Sequence, residues 1–107
     1  SVTVVQNGKE AFERLEKEDF DLLVTDIEMP LMNGFELTAQ IRASGRLKDI
    51  PIIALTTLSG KSHSELGYES GVDAYETKLD KEGLRETIER IMKSREVNPA
   101  HAALLQA

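Results

Sequence analysis

The chain has 107 residues, with 13 Lys and Arg against 19 Asp and Glu, a formal charge of −6, and neither Cys nor Trp. That length holds one core and one domain, and without cysteine a disulfide framework, a thiolate zinc site and a cysteine nucleophile are all excluded. The acidic balance excludes broad binding to a phosphate backbone, and no apolar run approaches the ~20 residues of a membrane helix. No signal peptide is recognisable, so the expectation is a cytoplasmic domain with no nucleic-acid partner and no membrane insertion.

Short apolar runs alternate with segments of helical period, the pattern of a parallel α/β sheet. The first strand candidate is Val2-Thr3-Val4-Val5. Asn7 then caps a helix in which Glu10 can reach back and Ala11, Phe12 and Leu15 form the apolar side. Leu22-Leu23-Val24-Thr25 and Ile52-Ile53-Ala54-Leu55 are continuous apolar runs, as strands covered on both faces require. Between them, a helix from about Phe35 to Ala43 follows Asn33-Gly34 and buries Leu37 and Ile41. A weaker helix is expected over Ser62–Ser70, with Ser62 and Glu65 as a capping box and Leu66 as nearly its whole apolar face. The segment Asp73-Ala74-Tyr75-Glu76-Thr77 reads as a short edge strand. Asp80 caps the strongest helix, where Leu84, Ile88, Ile91 and Met92 share one face. Asn98-Pro99 then predicts the start of a short Ala/Leu helix over His101–Gln106, within a tail of residues 96–107 that follows a domain over 1–95.

In an open parallel sheet, function gathers at the carboxyl ends of the strands. Asp26, Thr56 and Lys78 stand at three such ends. Taken singly, a strand-end Asp is a turn former, a strand-end Thr is unremarkable and a lone Lys is solvated. Together they can converge on one small anion. A carboxylate can accept a phosphoryl group as an acyl phosphate, a lysine can neutralise its oxygens, and a hydroxyl can hydrogen-bond one of them. A cation, normally Mg²⁺, assists attack on such a dianion.

The stretch Asp26-Ile27-Glu28-Met29-Pro30-Leu31-Met32-Asn33-Gly34 resembles the phosphoacceptor loop of response-regulator receiver domains, with Thr56 and Lys78 at that family's spacing. The likeness runs from Val2 to about Met92. It implies a flavodoxin-like α/β fold, a parallel sheet flanked by helices. It further implies that Asp26 is the phosphorylated aspartate, Thr56 the switch hydroxyl and Lys78 the conserved-type lysine. Tyr75 matches the aromatic that rotates inward on activation, and Glu28 the position whose backbone carbonyl ligates Mg²⁺ together with Asp26. Thr57 matches a residue at the site entrance. The implied partners are a histidine kinase as phosphodonor and chemotaxis signalling proteins. Lys78-Leu79-Asp80 and the Arg46–Pro51 stretch resemble receivers fused to chemotaxis histidine kinases or coupling proteins, so the chain reads as a non-enzymatic domain, or as a piece of a hybrid kinase.

The chain departs from that pattern at several positions. Asn33 replaces the usual Asp, and Leu79 stands where the family has a proline. More consequentially, only 25 residues precede Asp26, too few for the family's first strand, its adjacent acids and the following helix. No acidic pair stands in that stretch at the matching place, and the tail after Met92 contains no Asp. The expectation is therefore a truncated sheet of about four strands with four to five helices, poor Mg²⁺ binding and slow phosphorylation. The missing strand would leave two unpaired inner edges. Either the Val2 strand slides in beside the Leu22 strand, or a second copy covers the gap by strand exchange or by packing sheet on sheet, with the Ala102–Leu105 segment able to help cover either surface; a homodimer or higher oligomer is expected. A start at Ser1 inside the pattern also implies a longer natural gene product. Two further readings stand beside the phosphoacceptor: a degenerate receiver that only scaffolds an assembly, and, lower, a flavodoxin-like flavin enzyme.

Overall fold

A computed structural model describes residues 2–27, 32–56, 71–78, 80–98 and 102–107. In chain order the elements are β1 (Val2–Val4), α1 (Gly8–Lys17), β2 (Leu22–Asp26), α2 (Gly34–Ala43), β3 (Ile52–Thr56), β4 (Ala74–Thr77), α3 (Lys81–Ser94) and β5 (Leu104–Gln106). All five strands run parallel in one sheet ordered β1-β5-β2-β3-β4. The expected helix over Ser62–Ser70 lies outside the described residues, as do Glu28, Thr57 and Leu79.

Local chemistry starts each helix where the sequence places it. The Asn7 carboxamide accepts from Glu10 N at 2.9 Å, while the Glu10 carboxylate accepts from Gln6 N, one residue earlier than a strict capping box. Asn33 and Glu36 form a complete box at the start of α2. Asp80 accepts from Gly83 N at 2.8 Å and opens α3.

The sheet separates two cores. Leu23, Ile52, Ala54 and Leu105 pack with Ala11, Leu15, Leu37 and Ile41 beneath α1 and α2. Leu22, Val24, Ile53 and Leu55 pack with Ala74 and Met92 beneath α3. Successive residues of β2 and β3 thus go to opposite faces, which is why both runs are apolar throughout.

The tail corrects the sequence-based expectation. Leu104–Gln106 forms a strand rather than part of a short helix, and it fills the slot between β1 and β2. Gln106 O accepts from Val5 N, Ala107 N donates to Val24 O, and Ala107 O accepts from Asp26 N. Asp21 fixes the entry, its N donating to Ala103 O and its carboxylate accepting from Ala103 N, both at 2.7 Å. Buried inner edges need partners for their N–H and C=O groups, and that requirement outweighs a weak helical propensity spread over a few residues. The sheet consequently has five strands, not about four, and three helices lie among the described residues. Nor does β1 slide in beside β2, because β5 occupies the inner gap between them. On the α3 side of β1, Val2 and Val4 remain 56% and 62% exposed.

The end of α3 shows a helix stop built on an unfavourable residue. Glu96 N donates to Lys93 O, Val97 N donates to Met92 O, and Glu96 adopts φ 60°. This is a Schellman arrangement, in which the left-handed position favours glycine. A carboxylate there also meets the negative end of the helix dipole. Glu96→Gly is expected to stabilise the fold by about 0.5–1 kcal/mol, read as a higher urea midpoint at unchanged slope.

Candidate functional site

Because every strand is parallel, Asp26, Thr56, Lys78 and Gln106 all arrive at the same edge of the sheet. Asp26 closes β2 on the pleat that carries Leu22 and Val24, so its side chain turns toward α3. Lys78 follows β4, and its ammonium forms an ion pair with Asp26 Oδ2. Both side chains remain partly open to solvent. They border a cleft of about 370 Å³ whose other walls are Leu55, Lys81, Leu84, Gln106 and Ala107. A half-buried carboxylate paired with one lysine, in a cleft walled in part by a second, is a place where added negative charge is stabilised.

Gly34 permits the compact floor of this site. A Cβ at that position would fall 2.6 Å from Asp26 O and 3.0 Å from the Ile27 Cα, so only glycine lets α2 begin this close to the end of β2. Gly34 N in turn donates to Ile27 O at 3.0 Å.

Thr56 stands one strand away from Asp26, on the other pleat. It continues the Ile52–Ala54 side of β3, is 2% exposed, and is tied to the lysine through the backbone, Lys78 N donating to Thr56 O at 2.9 Å. Its side chain neighbours Tyr75, whose register partner is Ala54. The Tyr75 hydroxyl is enclosed. Burial without a hydrogen bond in good geometry raises its pKa above the ordinary 10, and the nearby Thr56 hydroxyl offsets part of the rise. Of the predicted residues, then, Asp26 and Lys78 meet directly, Thr56 and Tyr75 form a second pair beside them, and Glu28 falls outside the described residues.

The raised phenol sets a pH dependence. A pKa above the unfolded value means that the neutral phenol is favoured in the fold. That contribution is complete below pH 10 and is lost as pH rises through the folded value. The parent is therefore expected to lose stability relative to Tyr75→Phe above pH 10, and to show no such divergence between pH 7 and 9. Urea midpoints of both proteins across that range check it.

The family model described as the response regulator receiver domain matches residues 1–96. This chain belongs to that family. The receiver is 33% identical over 93 residues to a gliding motility regulatory protein of Myxococcus xanthus, covering 85% of this chain but only 12% of that protein. It is 38% identical to the chemotaxis protein CheY1 of Helicobacter pylori, over 85% of this chain and 75% of that one. Among solved structures, the receiver domain of a sensor histidine kinase from Pseudomonas aeruginosa superimposes with a TM-score of 0.74 at 28% identity, covering 87% of this chain and 75% of the other; it holds a magnesium ion in its active-site cleft. The flavodoxin-like fold is thereby shown, with the last strand of this receiver in the slot beside β2. Among the described residues, no helix is long and apolar enough to cross a membrane.

Receiver domains bind Mg²⁺ in the active site. In this cleft the described donors are a poor match. Mg²⁺ wants near-octahedral oxygens, usually with one or two carboxylates. Here the Asp26 carboxylate is engaged by Lys78, the neighbouring strand end presents Gln106 and Ala107, and no cluster of three acids or histidines occurs among the described residues. The residues present do not fit the ion well. Gln106, Ala107 and Lys81 are also the cleft residues that sequence reasoning missed. Lys81 follows the predicted Asp80 cap and was legible as a first-turn residue. Gln106 carried no signal, because nothing local announces β5.

Proposed function

We propose that this receiver accepts a phosphoryl group on Asp26 from a histidine kinase and changes its protein contacts in response. Receiver domains take phosphate from histidine kinases, and the two-component and chemotaxis setting follows from the family and from the CheY1 likeness. The observation that carries the reading is the Lys78 ammonium on the Asp26 carboxylate at the open rim of the sheet. In the transfer, an Asp26 oxygen bonds to phosphorus as the P–N bond to the donor imidazole breaks, and the released ring nitrogen takes up a proton. Lys78 passes from the carboxylate to a phosphoryl oxygen, with Lys81 as a second cation at the cleft wall. A charge of about −1.5 to −2 then sits where −1 sat before. Thr56 turns its hydroxyl toward it, and the space it leaves beside Tyr75 alters the β3–β4 face that a partner reads.

The poor metal fit lowers the expected rate. An active-site cation is worth several kcal/mol of charge stabilisation, so labelling is expected roughly a hundredfold or more below that of a receiver with a complete magnesium site. The 107-residue chain, incubated for hours with acetyl phosphate and Mg²⁺, is expected to gain one phosphoryl adduct by intact mass. Asp26→Asn should abolish it. An adduct that survives that substitution overturns the assignment.

Gln106 and Ala107 at the cleft support a second reading, a receiver that scaffolds an assembly without phosphorylation. Complete absence of labelling, with partner binding unaffected by Asp26→Asn, favours it over the first.

A further inference from the structure

We propose that two copies of this chain exchange their β5 strands, so that Gln106 and Ala107 in each Asp26 cleft come from the partner. The slot between β1 and β2 is a complete receptor for an extended segment. It offers backbone partners on both sides, the Asp21 carboxylate for Ala103 N, and a buried seat for Leu105. None of these contacts depends on which copy supplies the strand.

The hinge supplies the reason to exchange. The chain leaves α3 at Glu96, the one described non-glycine residue at positive φ. Left-handed backbone is disfavoured for a residue with a Cβ, and strained hinge loops favour swapping. Continuing α3 through Glu96 and Val97 exchanges their two Schellman bonds for ordinary helical ones, so no hydrogen bond is lost. Pro99 sets the limit of that extension, because the residue before a proline avoids helical geometry. The straightened connection then carries β5 away from its own sheet and toward a second one.

Mass action fixes the expected range. A short tether holds its strand at an effective concentration on the order of millimolar. Relief of a left-handed residue at each of two hinges brings dimerisation down to between roughly ten micromolar and one millimolar.

The chain has no cysteine, so the test is direct. Val4 and Gln106 are register partners on adjacent strands, both exposed. Chains carrying Val4→Cys and chains carrying Gln106→Cys are mixed in mild denaturant, returned to buffer at high concentration and oxidised. Exchange predicts a Val4–Gln106 mixed disulfide well above that of a control pairing Val4→Cys with Lys17→Cys. In sedimentation, Glu96→Gly should raise the dimer dissociation constant about tenfold or more. Removing Val97 and Asn98, which shortens the return path, should give dimer at every concentration. A parent that stays monomeric near one millimolar overturns the proposal, as does a dimer without the mixed disulfide. Should the shortened chain fail to fold, the mixing experiment and Glu96→Gly decide alone.

Discussion

Removing residues 102–107 is expected to abolish cooperative folding. A domain of this size is stable by only about 5–15 kcal/mol. The deleted segment sits between two other strands, so its loss opens an edge on both β1 and β2. Val5 N, Asp21 N and Asp26 N lose their carbonyl partners, Val24 O loses the Ala107 N–H, and the Asp21 carboxylate loses Ala103 N. Each buried group left unsatisfied costs about 1–3 kcal/mol. Leu105, fully buried under α1, adds a cavity; Leu105→Ala alone is expected to cost about 2–4 kcal/mol. Together these losses reach the whole stability of the domain. The truncated chain should lose its sigmoidal urea transition and aggregate through its bared edges, whereas Leu105→Ala should retain a transition at a lower midpoint. A truncated chain that melts cooperatively at the parent midpoint would show that β5 is an ornament on a self-sufficient four-stranded sheet.

That strand also marks where the sequence stopped being readable. Leu22–Thr25 and Ile52–Leu55 announce themselves because a buried parallel strand needs apolar residues on both faces, and Asn7, Asn33 and Asp80 announce helix starts because caps act over three residues. Leu104–Gln106 has three residues, too few for any period, and its conformation is decided by partners far away in sequence. Ala-Ala-Leu-Leu states a helical preference of a few tenths of a kcal/mol per residue, and a vacant sheet position overrules it. The site divides in the same way. Asp26 and Lys78 were legible because strand ends in a parallel sheet share one rim. Thr56 was placed at the right rim but on the other pleat, where it meets Tyr75, since counting residues to a strand end does not tell which face the last one takes. Gln106 reached the cleft only because β5 did.

Arg42→Ala is expected to cost about 2–4 kcal/mol, the largest effect of any single side chain outside the cores. From the last turn of α2 this guanidinium uses all five of its N–H donors. Nε and Nη2 donate to Gly71 O at 3.0 and 2.7 Å, Nη2 also to Asp73 Oδ2 at 2.8 Å, and Nη1 to Lys48 O and Ile50 O at 2.8 and 2.6 Å. One planar group thus ties α2 to the connection entering β3 and to the turn entering β4. Asp73 extends the tie, its Oδ2 also accepting from Ile52 N at 2.7 Å. Gly71 is part of the fit: it sits at φ 98°, and a Cβ there would lie 2.9 Å from the Arg42 Cγ. The ion pair with Asp73 is the lesser component, because the Asp side chain is 39% exposed and such pairs contribute about 1 kcal/mol at most. The carbonyls matter more, since three of them face the same fork and no ammonium can match its directions. Arg42→Lys should therefore recover less than half of the loss, and a double-mutant cycle with Asp73→Asn should return a coupling below about 1 kcal/mol. Faster amide exchange at Ile52 should accompany Arg42→Ala, because Asp73 then loses the partner that orients its carboxylate. An alanine variant within about 0.5 kcal/mol of the parent would mean that water replaces the fork at little cost, and that the β3 and β4 entries are held by their own ladder alone.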